Sequence, residues 1–600
     1  MKKILYIILA SFVLFGCTEK LNKFPLDKMS DGDFFASEAG LQAFSNSFYS
    51  MFPGDARDNV RDGMIAFDNC DNIYAKAQLK EVKGNRQVPN SGEGWSFTSL
   101  RTVNTLLDNL GQCSDPAVRT YYEAIGRFFR AYFYYNKIRV FGDVPFYDHQ
   151  VGSGDADLYK PRDSREVVMV KIIEDLEFAI ANLPAEHTVY TVNKWTAMAL
   201  LSRATLFEGT FRKYHNYVAP DSVKNAHDAT WYLTKCAEVS ENFIDNSNYK
   251  IYSTGNPKED YRMLFAADKF AGHAAANEVI LAENYNITYG KSHNVNNILF
   301  ATSMGCLGMS RKAVASYLMA DGSRFTDKPG WETMQFYEET QGRDPRLAQS
   351  IVTPGFKRIG ESVTQAPWFT STISGYQLTK FQQAPGEAYI HDANGKSDND
   401  LIIFRAGEVY LNFAEAKAEL GTITQKDLDK SITPLRSRVG MPAMILANIT
   451  EADPFLINKE WGGYQNCKNP VVLEIRRERL VELGQEGHRY NDLLRWKEGK
   501  ILEAQMYGPY FPGPGVYDLD KDGSNDLYIY ETGKLDESVK ATYKQELGKD
   551  IILSEGTKGM VNFHKDSPGK WDEAKDYFYP VPSGEIQLNP NLVQNPGWTI

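Results

Sequence analysis

The 600-residue sequence contains few cysteines and none of the short patterns that mark common metal or catalytic sites. It has no CxxC pair, no HExxH zinc helix, no GxSxG nucleophile turn and no GxxxxGK[ST] phosphate loop. Of the six cysteines, one follows the N-terminal apolar run, and the other five are too many by one to form a fully paired framework. We therefore expect mostly buried free thiols at Cys70, Cys113, Cys236, Cys306 and Cys467.

Positively charged residues are fewer than negatively charged ones. The 66 Lys and Arg are outnumbered by 77 Asp and Glu, so the net charge is −11, and it becomes −13 if Lys2 and Lys3 are removed with a leader. A sequence pI near 5.5 argues against nucleic acid as a partner and against polybasic binding to anionic lipid. The 42% hydrophobic content is enough for a large buried core.

Long hydrophobic runs are absent except at the N-terminus. Lys2 and Lys3 precede an almost wholly apolar run at residues 4–15, and the small residue Gly16 follows it. The run spans roughly 18 Å as a helix, against about 30 Å of bilayer hydrocarbon, so it is too short to cross a membrane. It has the layout of a secretory signal.

A cysteine directly after this run adds a second prediction. Residues 14–17, Leu-Phe-Gly-Cys, resemble a bacterial lipobox, although Phe15 is bulkier than the usual residue. The resemblance implies that residues 1–16 are removed and that Cys17 becomes a lipidated N-terminus. Several acyl chains anchor a protein stably, where a single chain is marginal. The alternative is a plain secretory signal with an incidental cysteine.

Helical periodicity dominates two blocks, at about 95–250 and 400–500. Gly, Asn, Pro and Tyr-rich stretches at about 250–400 and 500–600 indicate long loops with short strands. In the first block Gly209 has the position of a helix C-cap. The pattern predicts a mainly α fold in which paired helices of tetratricopeptide-like length form a scaffold for a loop-rich lobe.

One charged stretch, ERLVELGQEGHRYNDLLRW, has the residue types of a catalytic site. We favour a structural explanation, in which Arg guanidinium groups form bidentate pairs with carboxylates and fix a corner between helices. Asp and Glu are so frequent that a glycosidase dyad stays open as an alternative. The residues concerned are Glu478, Glu482, Glu486, His488, Arg489, Asp492 and Arg495.

The same stretch resembles the ERR-x-EL-x-x-EG-x-R-x-x-DL-x-RW signature of SusD/RagB lipoproteins. FFRAYFYYNKIRVFGDVPF resembles the first helical hairpin of that family, and FRAGEVYLNFAEAKAELG resembles its RxAEvyLxxAEA helix, with Gly407 where Ala is usual. PLRSRVGMP, DGSRFTDK…GRDPRL and YPVPSGEIQLNPNLVQNPGW are similar to three further family segments. The six segments occur in the family's order and cover nearly the whole mature chain, residues 17–600.

The resemblance implies a single SusD-like unit in which four tetratricopeptide-like helix pairs carry the irregular lobe. It implies a lipoprotein on the outer face of the outer membrane that captures oligosaccharides for a SusC-like TonB-dependent transporter. RagB-like members handle peptides instead. Members are not enzymes and require no cofactor.

Family members bind ligand with aromatic faces and polar side chains, which suits sugars because a pyranose has a C–H-rich face and a hydroxyl-rich rim. The family motifs do not include these residues, so candidates come from position alone. The segment before the first long helices offers Asp68, Asn69 and Tyr74, and the lobe offers Tyr285, Tyr289, Trp331 and Trp368. For each aromatic residue, core packing or anchoring of a loop is the alternative.

The stretch VYDLDKDGSNDLYIYE follows the DxDxDG pattern of a calcium loop, with Asp518, Asp520, Asp522 and Asp526 as ligands. Alternating carboxylates fold around a hard cation, and Gly523 permits the sharp turn. The twelfth position, usually a bidentate Glu, is Ile529, and Glu531 comes two residues late. The alternative is an Asp/Gly-rich turn without metal.

These observations favour a surface glycan-binding lipoprotein that works with a transporter. Three alternatives remain open: the same fold with peptide cargo, a glycoside hydrolase, and a scaffold that does not contact ligand. The sequence does not identify the glycan, because linkage specificity depends on a few side chains in irregular loops.

Overall fold

A computed structural model describes residues 34–53, 70–223, 226–301 and 306–599. Within them the α-helices are α1 Glu38–Asn46, α2 Lys80–Lys83, α3 Thr98–Asn109, α4 Pro116–Phe141, α5 Arg165–Asn182, α6 Lys194–His215, α7 Ala229–Asn246, α8 Asp260–Ala266, α9 Val295–Phe300, α10 Arg311–Ser316, α11 Phe336–Thr340, α12 Pro345–Ala348, α13 Ala406–Glu419, α14 Gln425–Arg438, α15 Pro470–Leu483, α16 Arg489–Arg495 and α17 Ser583–Leu588. The strands are β1 Ile73–Tyr74, β2 Val279–Glu283, β3 Gly308–Met309, β4 Leu401–Arg405, β5 Tyr510–Phe511, β6 Gly515–Tyr517, β7 Leu527–Tyr530, β8 Tyr543–Glu546 and β9 Gly559–Met560.

The longest helix, α4, has clear sequence signals at both ends. The Asp115 carboxylate accepts hydrogen bonds from the backbone N–H groups of Ala117 and Val118, and Pro116 occupies the first helical position. Gly142, with φ of +71°, ends the helix. The helix buries residues on most of its circumference because it packs against both α3 and α5.

The long helices form one layered scaffold. Each of α3 to α7 packs on the next, and α13 then packs on α7, α6, α14 and α15. The short α16 packs against α6, which joins the second helical block to the first. The main hydrophobic core runs through these contacts, and a second core lies within the lobe.

Gly209 does not end a helix, and this expectation is wrong. It lies inside α6, which continues to His215 and is ended by Asn216 in the left-handed conformation. A Cβ at position 209 would lie 2.8 Å from Leu233 Cγ. The glycine is therefore needed for the close approach of α6 and α7, and the sequence pattern does not distinguish the two uses.

The strands are short and form four small sheets in the described residues: β1–β3, β2–β4, β5–β9 and β6–β7–β8. All pairs are antiparallel except β7 with β8. The predicted fold class, mainly helical with a few short strands, is confirmed. Cys113, Cys236 and Cys467 are buried free thiols, Cys70 is also buried, and Cys306 is half-buried. No helix in the described residues is long and apolar enough to span a bilayer.

The C-terminal segment returns to the start of the described chain. The Arg86 guanidinium donates a 2.9 Å hydrogen bond to the Asp576 carboxylate, and both side chains are buried. Nearby, the Tyr579 N–H donates to the Val140 carbonyl at the end of α4. These contacts tie the C-terminal segment to the end of α4 and to the segment before α3.

Candidate functional site

The charged corner predicted from ERLVELGQEGHRYNDLLRW is a buried ion-pair network on α15 and α16. Glu482, fully buried, accepts hydrogen bonds from Arg438 at 2.6 Å, Arg405 at 2.9 Å and Arg346 at 3.0 Å. Arg346 also pairs with Glu478, which Arg436 holds from the other side, and Arg405 also pairs with Glu486, which Lys380 holds in the same way. The structural explanation of this stretch is confirmed.

The electrostatics of this corner agree with that role. Burial alone would raise the pKa of Glu482, but Arg438, Arg405 and Arg346 outweigh it and hold the pKa well below its usual range. The pKa values of Glu478 and Glu486 are lowered for the same reason. A general acid needs a carboxyl group that keeps its proton near neutral pH, and these carboxylates are ionised.

The same corner extends to the segment that precedes the first long helices. Arg489 donates to both carboxylate oxygens of Asp71, at 2.9 and 2.7 Å, and Lys312 donates to Asp71 at 2.6 Å. Asp71 lies two residues beyond the predicted Asn69 and has a structural role that its sequence position did not indicate. Asp68, Asn69 and Cys17 lie outside the described residues.

One strand–helix unit, β3 followed by α10, contacts two of the predicted residues at different points. β3 pairs with β1, which contains Tyr74. The Arg311 guanidinium donates to the Trp331 carbonyl at 2.9 Å, and the Arg311 N–H donates to the Tyr507 carbonyl at 2.6 Å. Tyr74 itself is buried against His564. Trp331 therefore sits beside the lobe segment that contains Tyr507.

Trp331 belongs to a cluster of four aromatic rings, which we name the aromatic platform: Trp331, Phe455, Trp461 and Tyr507. The Trp331 ring centroid lies 4.8 Å from that of Trp461 and 5.5 Å from that of Phe455, and Trp461 lies 5.6 Å from Tyr507. Trp331 is 7% exposed and anchors the cluster, whereas Trp461 and Tyr507 are partly exposed. The solvent-facing part of the platform is thus the Trp461–Tyr507 pair.

Trp461 and Tyr507 are site candidates that sequence reasoning missed. Trp461 ends a short 3-10 turn, Lys459–Trp461, and Tyr507 lies in a loop before β5. Lys312 donates to the Gly462 carbonyl, which ties the Trp461 turn to α10. The available signal was the aromatic residue followed by two glycines in KEWGGY, which is too common to single out a site.

The other predicted aromatic residues lie in separate places. Tyr285 is buried, with its ring 4.6 Å from His293. Trp368 is half-buried, edge-on to Phe300 at 5.7 Å. Tyr289 is 85% exposed on its own 3-10 turn. Ligand contact by each of these residues stays a prediction.

The Asp-rich loop connects β6 to β7. Asp518, Asp520 and Asp522 each present a carboxylate oxygen, and these oxygens lie within 4.8 Å of one another. Asp526 is buried beside them, and burial together with the charges of its carboxylate neighbours raises the pKa of Asp526 to about 6. The residue types and spacing fit a calcium ion.

A separate cleft opens between α3 and the C-terminal α17, with a volume of about 570 Å³. Its walls are mainly apolar, and Tyr159 at its edge is 56% exposed. Other lining residues are Trp95, Phe97, Tyr147, Leu158 and Leu588. The cleft thus places an exposed aromatic ring beside a concave surface.

The stacked helices that carry a loop-rich lobe define a helical-scaffold protein of one known architecture. The chain belongs to the SusD family. The family model described as "SusD family" matches residues 277–598, more than half of the chain. A second model, described as "Starch-binding associating with outer membrane", matches residues 29–206. The resemblance that the sequence motifs indicated is confirmed.

Individual relatives agree with this assignment. The chain is 24% identical over 530 residues to SusD-like protein P2 of Formosa agariphila, across 84% of this chain and 92% of the relative. A SusD-like protein of Bacteroides fragilis superposes with a TM-score of 0.65 at 20% identity, across 96% of this chain and all of the other. A SusD-like carbohydrate binding protein of the same species gives 0.67 at 19%, across 93% and 100%.

Proposed function

We propose that the protein is a cell-surface glycan-binding lipoprotein that passes oligosaccharides to a SusC-like TonB-dependent transporter in the outer membrane. The observation that carries the proposal is the aromatic platform, with Trp461 and Tyr507 partly exposed above buried Trp331. Family membership supports it, since one matching family model is described as starch-binding and associating with the outer membrane. One structural relative is named a carbohydrate binding protein.

The physics of the platform suits a sugar. A flat ring offers apolar contact to the C–H face of a pyranose, and a stiff aromatic side chain loses little conformational entropy on binding. Glu460, beside Trp461, is exposed and close enough to Tyr507 for its charge to raise the Tyr507 pKa, after the larger effect of burial. It can accept hydrogen bonds from sugar hydroxyls at the edge of the rings.

Localisation and partner follow from the N-terminal segment and the family. The lipobox-like residues 14–17 support lipidation at Cys17, which would hold the chain at the membrane surface. Capture by a surface protein beside a transporter raises the local ligand concentration at the transporter. We propose that the anchored chain faces the exterior.

We also propose that the protein is not an enzyme. The carboxylates that most resembled a catalytic set, Glu478, Glu482 and Glu486, are buried and held ionised by Arg and Lys partners. Their place in the fold is structural. A hydrolase would release sugar from a bound polysaccharide, so the absence of reducing ends after prolonged incubation with a retained glycan is the expected result.

The test is native affinity electrophoresis of the lipid-free chain, from Thr18 onward, in gels cast with plant, fungal and host polysaccharides. We expect retardation by at least one glycan and its loss in Trp461→Ala. Tyr159→Ala, in the separate cleft, is the matched control and should migrate as the parent does. Loss of retardation only in Tyr159→Ala would move the site to the cleft. Retardation by no glycan, with binding of peptides, would replace glycan by peptide cargo.

A further inference from the structure

The loop between β6 and β7 collects negative charge that the protein does not neutralise. Asp518, Asp520, Asp522 and Asp526 form no ion pair within the described residues. The cation within the loop, Lys521, instead lies over the Tyr337 ring at 5.8 Å. Asp518, Asp520 and Asp522 therefore face one another without a counter-charge, and Asp526 adds a fourth negative group nearby.

One carboxylate oxygen of this loop is buried without a hydrogen-bond partner. Asp518 Oδ1 is buried and has no hydrogen-bond partner, while Asp518 Oδ2 accepts from the Gly523 N–H at 3.0 Å. A buried carboxylate oxygen without a partner is costly, because its lost hydration is not replaced. Asp526, 7% exposed, is the most buried of the four carboxylates, and one of its oxygens accepts a 2.7 Å hydrogen bond from the Leu519 N–H. A bound cation would give Asp518 Oδ1 the partner that it lacks.

We propose that residues 518–526 bind one calcium ion, with the carboxylates of Asp518, Asp520 and Asp522 as ligands and Asp526 beside them, and that the ion closes the β6–β7 hairpin. The backbone is already folded for this. Gly523 has φ of +90°, and the N–H groups of Asp522 and Ser524 donate to Asp520 and Asp522. These bonds aim the carboxylates at one point.

The donor set selects calcium over other ions. All candidate ligands are oxygens, which excludes the nitrogen and sulfur donors that zinc prefers. The loop is irregular and mostly exposed, whereas Mg²⁺ demands near-ideal octahedral geometry and gives up its water reluctantly. Ile529 occupies the twelfth position and is fully buried, so no bidentate Glu closes the loop. We therefore expect a dissociation constant on the order of 10⁻⁴ to 10⁻³ M, the range of extracellular calcium modules.

The site would have a structural effect on the lobe. Leu519 in the loop and Leu527 after it are buried in the lobe core, so the loop is attached to packed side chains at both ends. β7 also pairs with β8 in parallel, which makes it the central strand of that sheet. An ion that fixes the loop stabilises the folded state alone, because the unfolded chain does not preform the site.

The test uses the lipid-free chain after chelation and dialysis. We expect the thermal midpoint to rise by about 2 °C and to saturate as calcium is added, with a much smaller response to magnesium at equal concentration. Terbium, which occupies calcium sites, should luminesce through Tyr517 next to the loop. The double variant D520N/D522N keeps a side-chain oxygen at each position to accept the hydrogen bonds of the turn. It should lose both the rise in the thermal midpoint and the terbium luminescence. D536N is the matched control, because Asp536 accepts the same kind of turn bond from Ser538.

The proposal does not depend on glycan binding, and the variants separate the two. D520N/D522N should still be retarded by the glycan that retards the parent chain. A calcium response that persists in D520N/D522N would overturn the assignment, as would the absence of any calcium response in the parent. An equal response to magnesium would overturn the choice of ion.

Discussion

Arg489 and Asp71 are 418 positions apart in sequence, and they form a bidentate, buried ion pair. Burial alone would raise the pKa of Asp71, but Arg489 and Lys312 hold it far below its usual range. The family signature on α16 therefore fixes the segment before the first long helices, and through Lys312 it also fixes the turn that presents Trp461.

Removing the charge of Asp71 should destabilise the protein strongly. Asp71→Asn leaves Arg489 and Lys312 buried without their carboxylate, which typically costs about 3–5 kcal/mol. The measurement is the urea midpoint of unfolding at neutral pH. Glu174→Gln is the matched control: it breaks the exposed pair with Lys171 and should change the free energy of unfolding by less than about 1 kcal/mol. Equal midpoints for the two variants would contradict the role of Asp71.

Stability should fall in acid. The folded-state pKa values of Glu208, Glu478, Glu482 and Glu486 are lowered from 4.5, because their Arg and Lys partners outweigh burial. The unfolded state then takes up protons first as the pH drops below about 4.5, so the stabilisation present above that pH is lost. Each carboxylate contributes a slope of up to about 1.4 kcal/mol per pH unit. Urea midpoints between pH 7 and pH 3.5 measure this, and a flat profile would contradict it.

Gly209→Ala should destabilise the protein although alanine favours helices. The new Cβ would lie 2.8 Å from Leu233 Cγ and 3.0 Å from the Leu233 backbone nitrogen, so α6 and α7 would have to separate. Overpacking of this kind costs about 1–3 kcal/mol. Gly111→Ala meets nothing within 4 Å and serves as the control. Thermal midpoints of the two variants give the comparison, and a stabilised Gly209→Ala would be the contrary result.

Substitutions of the partly exposed Tyr507 distinguish ring stacking on the glycan from hydrogen bonding to it. If the platform binds sugar through ring faces, Tyr507→Phe should keep most of the glycan retardation and Tyr507→Ala should lose it, by about 1–3 kcal/mol of binding free energy. Retardation coefficients over a series of polysaccharide concentrations measure both. Equal loss in the two variants would assign the binding to the hydroxyl group instead.

Lipidation at Cys17 has a direct test in cells. Cys17→Ala should move the protein from the membrane fraction to the soluble fraction and abolish incorporation of labelled fatty acid. Protease treatment of intact cells should degrade the parent chain if it faces the exterior. A parent chain that resists protease until the cells are opened would contradict the proposed orientation.

The sequence predicted those features whose determinants lie close together in the chain. Helical periodicity and helix-end signals such as Asp115 and Gly142 are local. The charged corner could be interpreted because the guanidinium group of Arg has the geometry to bind a carboxylate with two hydrogen bonds. The Asp-rich loop was found because its four carboxylates lie within nine residues. The platform was only partly found, since Trp331, Trp461 and Tyr507 come from three irregular segments that tertiary packing brings together. The use of Gly209 depends on its neighbour α7 and not on its own helix.

The pairing of Arg86 with Asp576 has a consequence for how the chain matures. When a chain leaves a translocation channel with its N-terminus first, Arg86 emerges long before its partner Asp576. Asp71 likewise emerges long before its partner Arg489. Native contacts between such distant residues make folding slow, because the intervening chain must first be ordered. The segment that contains Asp71 and Arg86 thus emerges before its partners, and a chaperone that shielded it until the last residues arrive would protect the chain from aggregation.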